Sequence, residues 1–457
     1  MERLVVVSCD GHCGPPVEQF GPYMDPKYRP MVAELVQEEK DLQVFNSIVR
    51  FDTPERLNFV DPRERIASGG YSAGWDTERR LAELDAEGIA AEILFPGTTQ
   101  SMTPFFYQFN KAYSEDVRFA GVKAYHRWLI DFMAPSNGRL IGTAEPGPTT
   151  DMDATLAEIR FAAEHGFRGV FVPGSVRQPG LPPLTDKYYE PLWATCNELN
   201  LVLTVHAGWG VDQGRFTDLI VQVKEFVAAG GSDGLTEAWN QVMGGLDDEN
   251  PLSMFALTLG PRQIIWQLIF SGVFDRYPNL KLQVAECRAD WVPELKAYLD
   301  RRFLAAPNRP RLQMKPSAYF GRNVFIAPSS PRRLEAELRH DIGIDTLMFA
   351  ADLPHPESTW PNTLAWLQAV FYDVPEPELR KILGENAIGI YSLDETMLKN
   401  VASKIGYKPS DIIGQHSVDE RLIADFDVRA GFNSETPPFD MQSLNSRVNA
   451  DLAVTSA

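Results

Sequence analysis

Cysteine and histidine are both scarce in this chain: 457 residues include four cysteines and seven histidines. Cys9, Cys13, Cys196 and Cys287 are too few and too scattered for a disulfide framework in a protein of this length. Cys9 and Cys13 lie close together but no second cysteine pair accompanies them, which argues against a structural zinc site. Positive charge is also in short supply. Lys and Arg number 43 against 62 Asp and Glu, a net charge of −19, and that balance disfavours nucleic acid or an anionic membrane as a partner. The same surplus serves ordinary solubility. The first residues, MERLVVVSCDGH, hold only a short apolar run, so neither a signal peptide nor a membrane span is expected there, and the cytoplasm is the expected compartment. No glycine-rich GxGxxG turn follows the first apolar run, which disfavours a dinucleotide-binding fold.

What the sequence does contain is alternation. Short β-branched runs at 4–7, 91–95, 140–144, 169–172, 201–205, 280–285, 324–327 and 346–350 read as strands. Helical patterns at 77–87, 152–164, 188–197, 291–303 and 332–340 fall between them, with Thr77 and Asp151 as candidate N-caps and Gly88 and Gly166 as C-cap glycines. Eight alternating units predict an α/β fold, a (β/α)8 TIM barrel. A minimal barrel needs about 250 residues, so the remainder is assigned to insertions at 15–74 and 210–259 within a barrel domain of 1–398, and to an extension or arm at 399–457. The 210–259 insertion carries helical pieces at 219–229 and 235–243 around AAGGSDG. With Phe226, Trp239 and Phe255 it reads either as a lid or as an oligomer contact.

The chemistry lies in where the rare metal-capable residues fall. Asp10 and His12 follow the first predicted strand, His206 closes the fifth, Glu286 the sixth and Asp352 the eighth. In a closed barrel these strand ends share one mouth, so side chains far apart in sequence converge. Two imidazoles with two or three carboxylates suit one divalent cation, zinc ahead of manganese or iron. Taken singly each residue has a plainer explanation: a structural histidine, an Asx turn, or a helix cap at Glu286 and Asp352. Their joint placement is what points to a metal. His355 is a candidate to orient a ligand or bound water. Arg288 is a candidate partner for a substrate carboxylate, or a neutraliser of Glu286 or Asp290. Trp209 and Trp360 are candidate walls for an aromatic or cyclic substrate, or ordinary packing residues.

At these positions the chain resembles the amidohydrolase-related family, which includes aminocarboxymuconate-semialdehyde decarboxylase, resorcylate-type decarboxylases and several hydrolases. The segments that carry the resemblance are SCDGHCGPP, ILFPG, TVHAG, LIFSGVFDRYPNLKLQVAECRADWVP, KPSAYFGRNVFIA, FAADLPHPESTWP and ILGENAIGIY. The resemblance implies one metal per subunit. Asp10, His12 and His206 would be its ligands, with Asp352 as the eighth-strand ligand or base, and a homodimer is implied as well. Two departures stand out. The first ligand is Asp10 where relatives often have His or Glu. The decarboxylases also carry a catalytic His after the sixth strand, where this chain reads Ala285-Glu286-Cys287-Arg288. The expectation is therefore a metal-dependent hydrolase acting on a small carbonyl compound, with Asp352 and Glu286 moving protons. Non-oxidative decarboxylation of an aromatic or enoic acid is the alternative, and a non-catalytic binding protein on a barrel scaffold the alternative of another class.

Overall fold

The computed structural model describes residues 2–49, 52–98, 100–107, 110–174, 180–210, 215–231, 254–306, 311–356, 358–429 and 445–451. Its strands are β1 (Val6–Ser8), β2 (His12–Cys13), β3 (Ile89–Pro96), β4 (Leu140–Ala144), β5 (Gly169–Phe171), β6 (Val202–Val205), β7 (Lys281–Ala285) and β8 (Val324–Ala327). They pair in parallel in the order β1-β3-β4-β5-β6-β7-β8, and β2 prolongs the first barrel strand beside the end of β3. Residues 346–350 fill the eighth barrel position through isolated bridges to the β8 side. On that side Ile326 N donates to Thr346 O and Met348 N to Ile326 O, each at 2.9 Å. On the other, Cys9 N donates to Phe349 O at 2.9 Å. The curled sheet thereby closes into the TIM barrel the alternation predicts.

Parallel strands covered on both faces are apolar throughout rather than alternating; all eight residues of β3 are buried. One apolar cluster lies between the sheet and its surrounding helices. A second fills the barrel itself, with Val7, Ile93, Phe95, Phe171 and Phe325 interleaved with Ala91, Ala285 and Ala327. The amino-terminal floor is plugged by the helix Asn386–Tyr391. There Tyr391 Oη donates to Gln283 Oε1 at 2.7 Å, and Gln283 Nε2 donates to Cys9 O at 2.7 Å. These buried polar groups pair with one another, as burial requires.

Several boundaries move. The N-cap of Thr77–Ala86 is Asp76, whose carboxylate accepts from Arg79 N, not Thr77. The Thr77 hydroxyl is committed to Phe132 O at 2.6 Å. Asp151 does cap Met152–Glu164, and Gly88 and Gly166 take left-handed φ values of 66° and 94°. The helix expected at 332–340 is two short pieces, Arg333–Glu337 and Arg339–Ile342. The limit at 259 falls within the helix Met254–Phe270 and the limit at 398 within Glu395–Ile405, so neither marks a break in the chain's packing. Beyond it, Leu4 N donates to Tyr407 O at 2.8 Å, Phe426 packs on Trp366 at 4.7 Å between ring centroids, and Asp451 accepts from Trp266 Nε1 at 2.6 Å. The described part of the extension thus lies on the barrel. Of the 210–259 insertion, the helix Arg215–Ala228 covers most of the first expected piece. The second piece, Trp239 and the side chain of Phe255 lie outside the described residues. No helix among the described residues is long and apolar enough to cross a membrane.

Candidate metal centre

The turn between β1 and β2 brings Asp10 and His12 over the mouth, and a buried cation holds it there. Arg80, wholly buried, donates Nε to Glu92 Oε2 at 2.7 Å, Nη1 to His12 O at 2.9 Å and Nη2 to Leu353 O at 2.9 Å. One guanidinium therefore ties the Asp10–His12 turn to the segment after Asp352. Gly11 permits this approach: a β-carbon there would strike the Glu92 carboxylate and come within 2.8 Å of Arg80 Nη2. Asp352 N also donates to Asp10 O at 2.9 Å. Just beyond two strand ends the backbone is left-handed, at Glu286 with φ 53° and at Asp352 with φ 64°. Such values cost energy in non-glycine residues and gather where function requires a particular aim.

The side chains converge closely. His12 Nε2 lies 3.2 Å from His206 Nε2, 3.5 Å from Asp10 Oδ1 and 3.4 Å from Asp352 Oδ1. His206 Nε2 lies 3.4 Å from Asp10 Oδ2 and 3.3 Å from Glu286 Oε2. His355 stacks on His12 with ring centroids 3.9 Å apart, its Nδ1 3.4 Å from Asp352 Oδ1. Phe95 lies against both imidazoles, 5.2 Å from His206 and 6.1 Å from His12 between ring centroids. Among the described residues, Asp10, His12 and His206 can each offer a donor atom within 4.8 Å of the others, and so can His12, Asp352 and His355.

Electrostatics divide the two imidazoles. Burial disfavours the cation of His206, but the Asp10 and Glu286 carboxylates outweigh it and push its pKa up to about 10. His12 goes well below its ordinary value through burial, with His355 and His206 acting in the same direction. The two carboxylates thus favour positive charge at this point of the mouth. A divalent cation fits the same donors. Asp10 Oδ1 is buried without a hydrogen-bond partner, and the His12 and His206 Nε2 atoms lie 3.2 Å apart with Asp10 oxygens at 3.5 and 3.4 Å, a convergence of lone pairs that one divalent cation would satisfy together.

The other expected site residues are placed as follows. Asp10, His12, His206, Glu286, Asp352 and His355 come together. Glu286 and Asp352 are not helix caps, since the next helices are Val292–Ala305 and Thr363–Phe371. Arg288 donates Nε to Glu335 Oε1 at 2.6 Å, with Nη2 3.9 Å from Asp290. Its guanidinium thus serves carboxylates of the protein. Trp360 is buried in the packing, its Nε1 donating to Glu83 Oε2 at 2.7 Å and its ring closing on Gly70. Trp209 is half-buried and fixed by a bond from Nε1 to Val172 O at 3.0 Å. Three participants escape the sequence reading. Ser329, beyond β8, donates to Asp10 Oδ2 at 2.6 Å. The Arg80–Glu92 pair lies beneath the turn. Tyr107 is buried where Glu286, Asp10, Glu145 and Asp352 all add to the effect of burial in holding its phenol neutral. Glu92 had a signal, an acid within the apolar run IAAEILF; Ser329 is the polar residue past a strand end, and Tyr107 had none.

A parallel barrel with two imidazoles and several carboxylates converging at its carboxyl mouth defines a barrel with a candidate metal centre. The family model described as Amidohydrolase matches residues 9–393, and the chain belongs to that family. No curated protein sequence matches it. Among solved structures it is similar to 5-carboxyvanillate decarboxylase from Sphingomonas paucimobilis, at 18% identity and TM-score 0.56 over 86% of this chain and 100% of the other. It is also similar to 2,6-dihydroxybenzoate decarboxylase from Rhizobium, at 19% identity and TM-score 0.53 over 86% and 99%. A third is the 5-carboxyvanillate decarboxylase from Novosphingobium aromaticivorans with bound manganese, at 18% identity and TM-score 0.55 over 85% and 97%. Likeness at this level of identity is a likeness of fold.

Proposed function

We propose that the protein is a metal-dependent carboxy-lyase that removes carbon dioxide from a small aromatic acid without oxidation. The observation that carries this reading is the placement of Asp352. It is wholly buried, and its Oδ1 lies 3.4 Å from His12 Nε2 and 3.4 Å from Nδ1 of His355, which is stacked on His12. The decarboxylases among the solved relatives add support, as does the manganese bound in one of them. Asp10, His12 and His206 would hold one divalent ion, with Asp352 as a fourth ligand or a proton carrier beside it; manganese joins zinc as an ion to test. The cation supplies Lewis-acid polarisation of a substrate oxygen. The remaining work belongs to the chain. The ring carbon that loses carbon dioxide must gain a proton, and Asp352 would deliver it while the electron pair of the broken C–C bond returns to the ring. His355 holds the Asp352 carboxyl in position. Glu286 is 17% exposed where Asp352 is wholly buried, so it is the member suited to exchange that proton with solvent.

Glu286 also sustains a second reading. An acid rather than an imidazole after β7 suits hydrolysis, with Glu286 and Asp352 taking a proton from water and passing it to a leaving group. Metal-loaded protein incubated with a panel of hydroxybenzoates separates the two. Carbon dioxide release without solvent 18O in the aromatic product supports the lyase, and 18O incorporation from a carbonyl substrate supports the hydrolase.

A further inference from the structure

The loops that leave β7 and β8 are neighbours, and each reaches the metal centre with one side chain. The two strands pair with Ala285 beside Ala327, and Glu286 N donates to Ala327 O at 3.1 Å. From the first loop Glu286 comes within 3.3 Å of His206 Nε2. From the second, Ser329 donates to Asp10 Oδ2 at 2.6 Å. Both loops hold an unusual backbone: Glu286, Arg288 and Ser330 are left-handed, with φ values of 53°, 53° and 49°. Residues other than glycine keep such values only where surrounding contacts enforce them.

One buried carboxylate touches both loops. Glu335 lies in the short helix Arg333–Glu337 and is wholly buried. Its Oε2 accepts from Arg332 N at 2.8 Å, the contact that an ordinary capping box supplies. Its Oε1 does what no cap requires, accepting from Arg288 Nε at 2.6 Å and from Ala289 N at 3.3 Å. Glu335 therefore ties Arg288, two residues after Glu286, to Arg332, three residues after Ser329. Each loop has one further brace. Trp291 Nε1 donates to Cys287 O at 2.5 Å, with the Arg262 guanidinium 4.7 Å from the centre of its ring. Ser330 N donates to Ala350 O at 3.0 Å.

We propose that Glu335 is a positioning residue for the metal centre: it fixes the two loops against each other and so aims Glu286 at His206 and Ser329 at Asp10. The inference rests on the part of the functional reading that places a cation at Asp10, His12 and His206, and not on which reaction follows. Loss of the Glu335 carboxylate releases both left-handed turns at once. The hydrogen bond that orients Asp10 and the approach of Glu286 to His206 then loosen together. Groups that orient a ligand from behind act on metal affinity as well as on shape.

The test is the affinity of metal-stripped, full-length protein for manganese, read by titration calorimetry. Glu335→Gln keeps the size of the side chain but not its charge, and should weaken binding about tenfold. Ser329→Ala should weaken it as well. The double variant should lose less than the product of the single losses, by about threefold or more, because both changes remove the same support of Asp10. Tyr391→Phe, at the barrel floor, controls for general destabilisation and should bind manganese as the parent does. Should Glu335→Gln fail to fold by circular dichroism, Arg288→Met cuts the bridge at its other end and enters the same cycle. Single losses that multiply, parent affinity in Glu335→Gln or Ser329→Ala, or an equal loss in Tyr391→Phe would overturn the inference alone. A parent protein that binds no divalent ion would overturn the metal-centre reading along with it.

Discussion

The two ends of the barrel follow opposite rules. At the floor, Tyr391 and Gln283 pass hydrogen bonds to each other and to Cys9 O within an apolar surround. At the mouth, Asp10, Asp352 and Glu286 crowd two imidazoles, and buried Asp10 Oδ1 has no hydrogen-bond partner. A floor built this way contributes stability; a mouth built this way costs stability until a ligand completes it. The Arg80–Glu92 pair lies between the two, a buried ion pair whose remaining donors go to the backbone of the site turn. It spends stability on position.

Substitutions that act on one end and not the other sharpen this contrast. The largest effect is expected at the mouth. Asp352→Asn keeps the shape of the side chain but not its proton chemistry, and turnover should fall by about 10²–10⁴ with thermal stability unchanged or higher. Steady-state kinetics beside a melting curve check this, and normal turnover would remove Asp352 from the reaction. Glu286→Gln should follow with a loss nearer about 10², and an unchanged rate would leave Glu286 a bystander. Arg80→Met leaves Glu92 buried without its partner, at a cost of about 3–5 kcal/mol, and should loosen metal binding as the Asp10–His12 turn relaxes. Denaturant unfolding with metal titration measures both; an unmoved midpoint would mean the pair is dispensable. The smallest effect belongs to the floor. Tyr391→Phe should cost about 1–3 kcal/mol, read as a lower unfolding midpoint, with metal affinity and turnover as before. A change in turnover would erase the division between the two ends.

Much of this was legible in the sequence because barrel geometry converts strand ends into neighbours. Asp10, His12, His206, Glu286 and Asp352 each sit at the end of an apolar run, and such runs are easy to see when both faces are buried. The eighth strand, 346–350, was found from its composition even though its pairing is by isolated bridges. What escaped depends on long-range partners. Arg80 lies in a helix that reads as amphipathic, and nothing local shows that its guanidinium turns inward to Leu353 O. Trp360 could be a pocket wall or a packing residue on local grounds, and the choice is made by Glu83, far away in sequence, which takes its indole. Thr77 looked like a cap because Asp76 beside it is an equally good one, and the choice was made by Phe132 O. The tail reads as an extension or arm because polar stretches separate its apolar positions, and nothing local shows that Phe426 is buried against Trp366.

The claim that the mouth is a metal centre is tested most directly by titrating manganese or zinc into metal-stripped protein and into its His206→Ala variant. Stoichiometry is read by elemental analysis after desalting. The account predicts about one ion per chain in the parent protein and a large loss of occupancy in the variant, whose fold, read by circular dichroism, is retained. A parent protein that keeps no divalent ion after reconstitution, or a variant that keeps one as firmly as the parent, would contradict it.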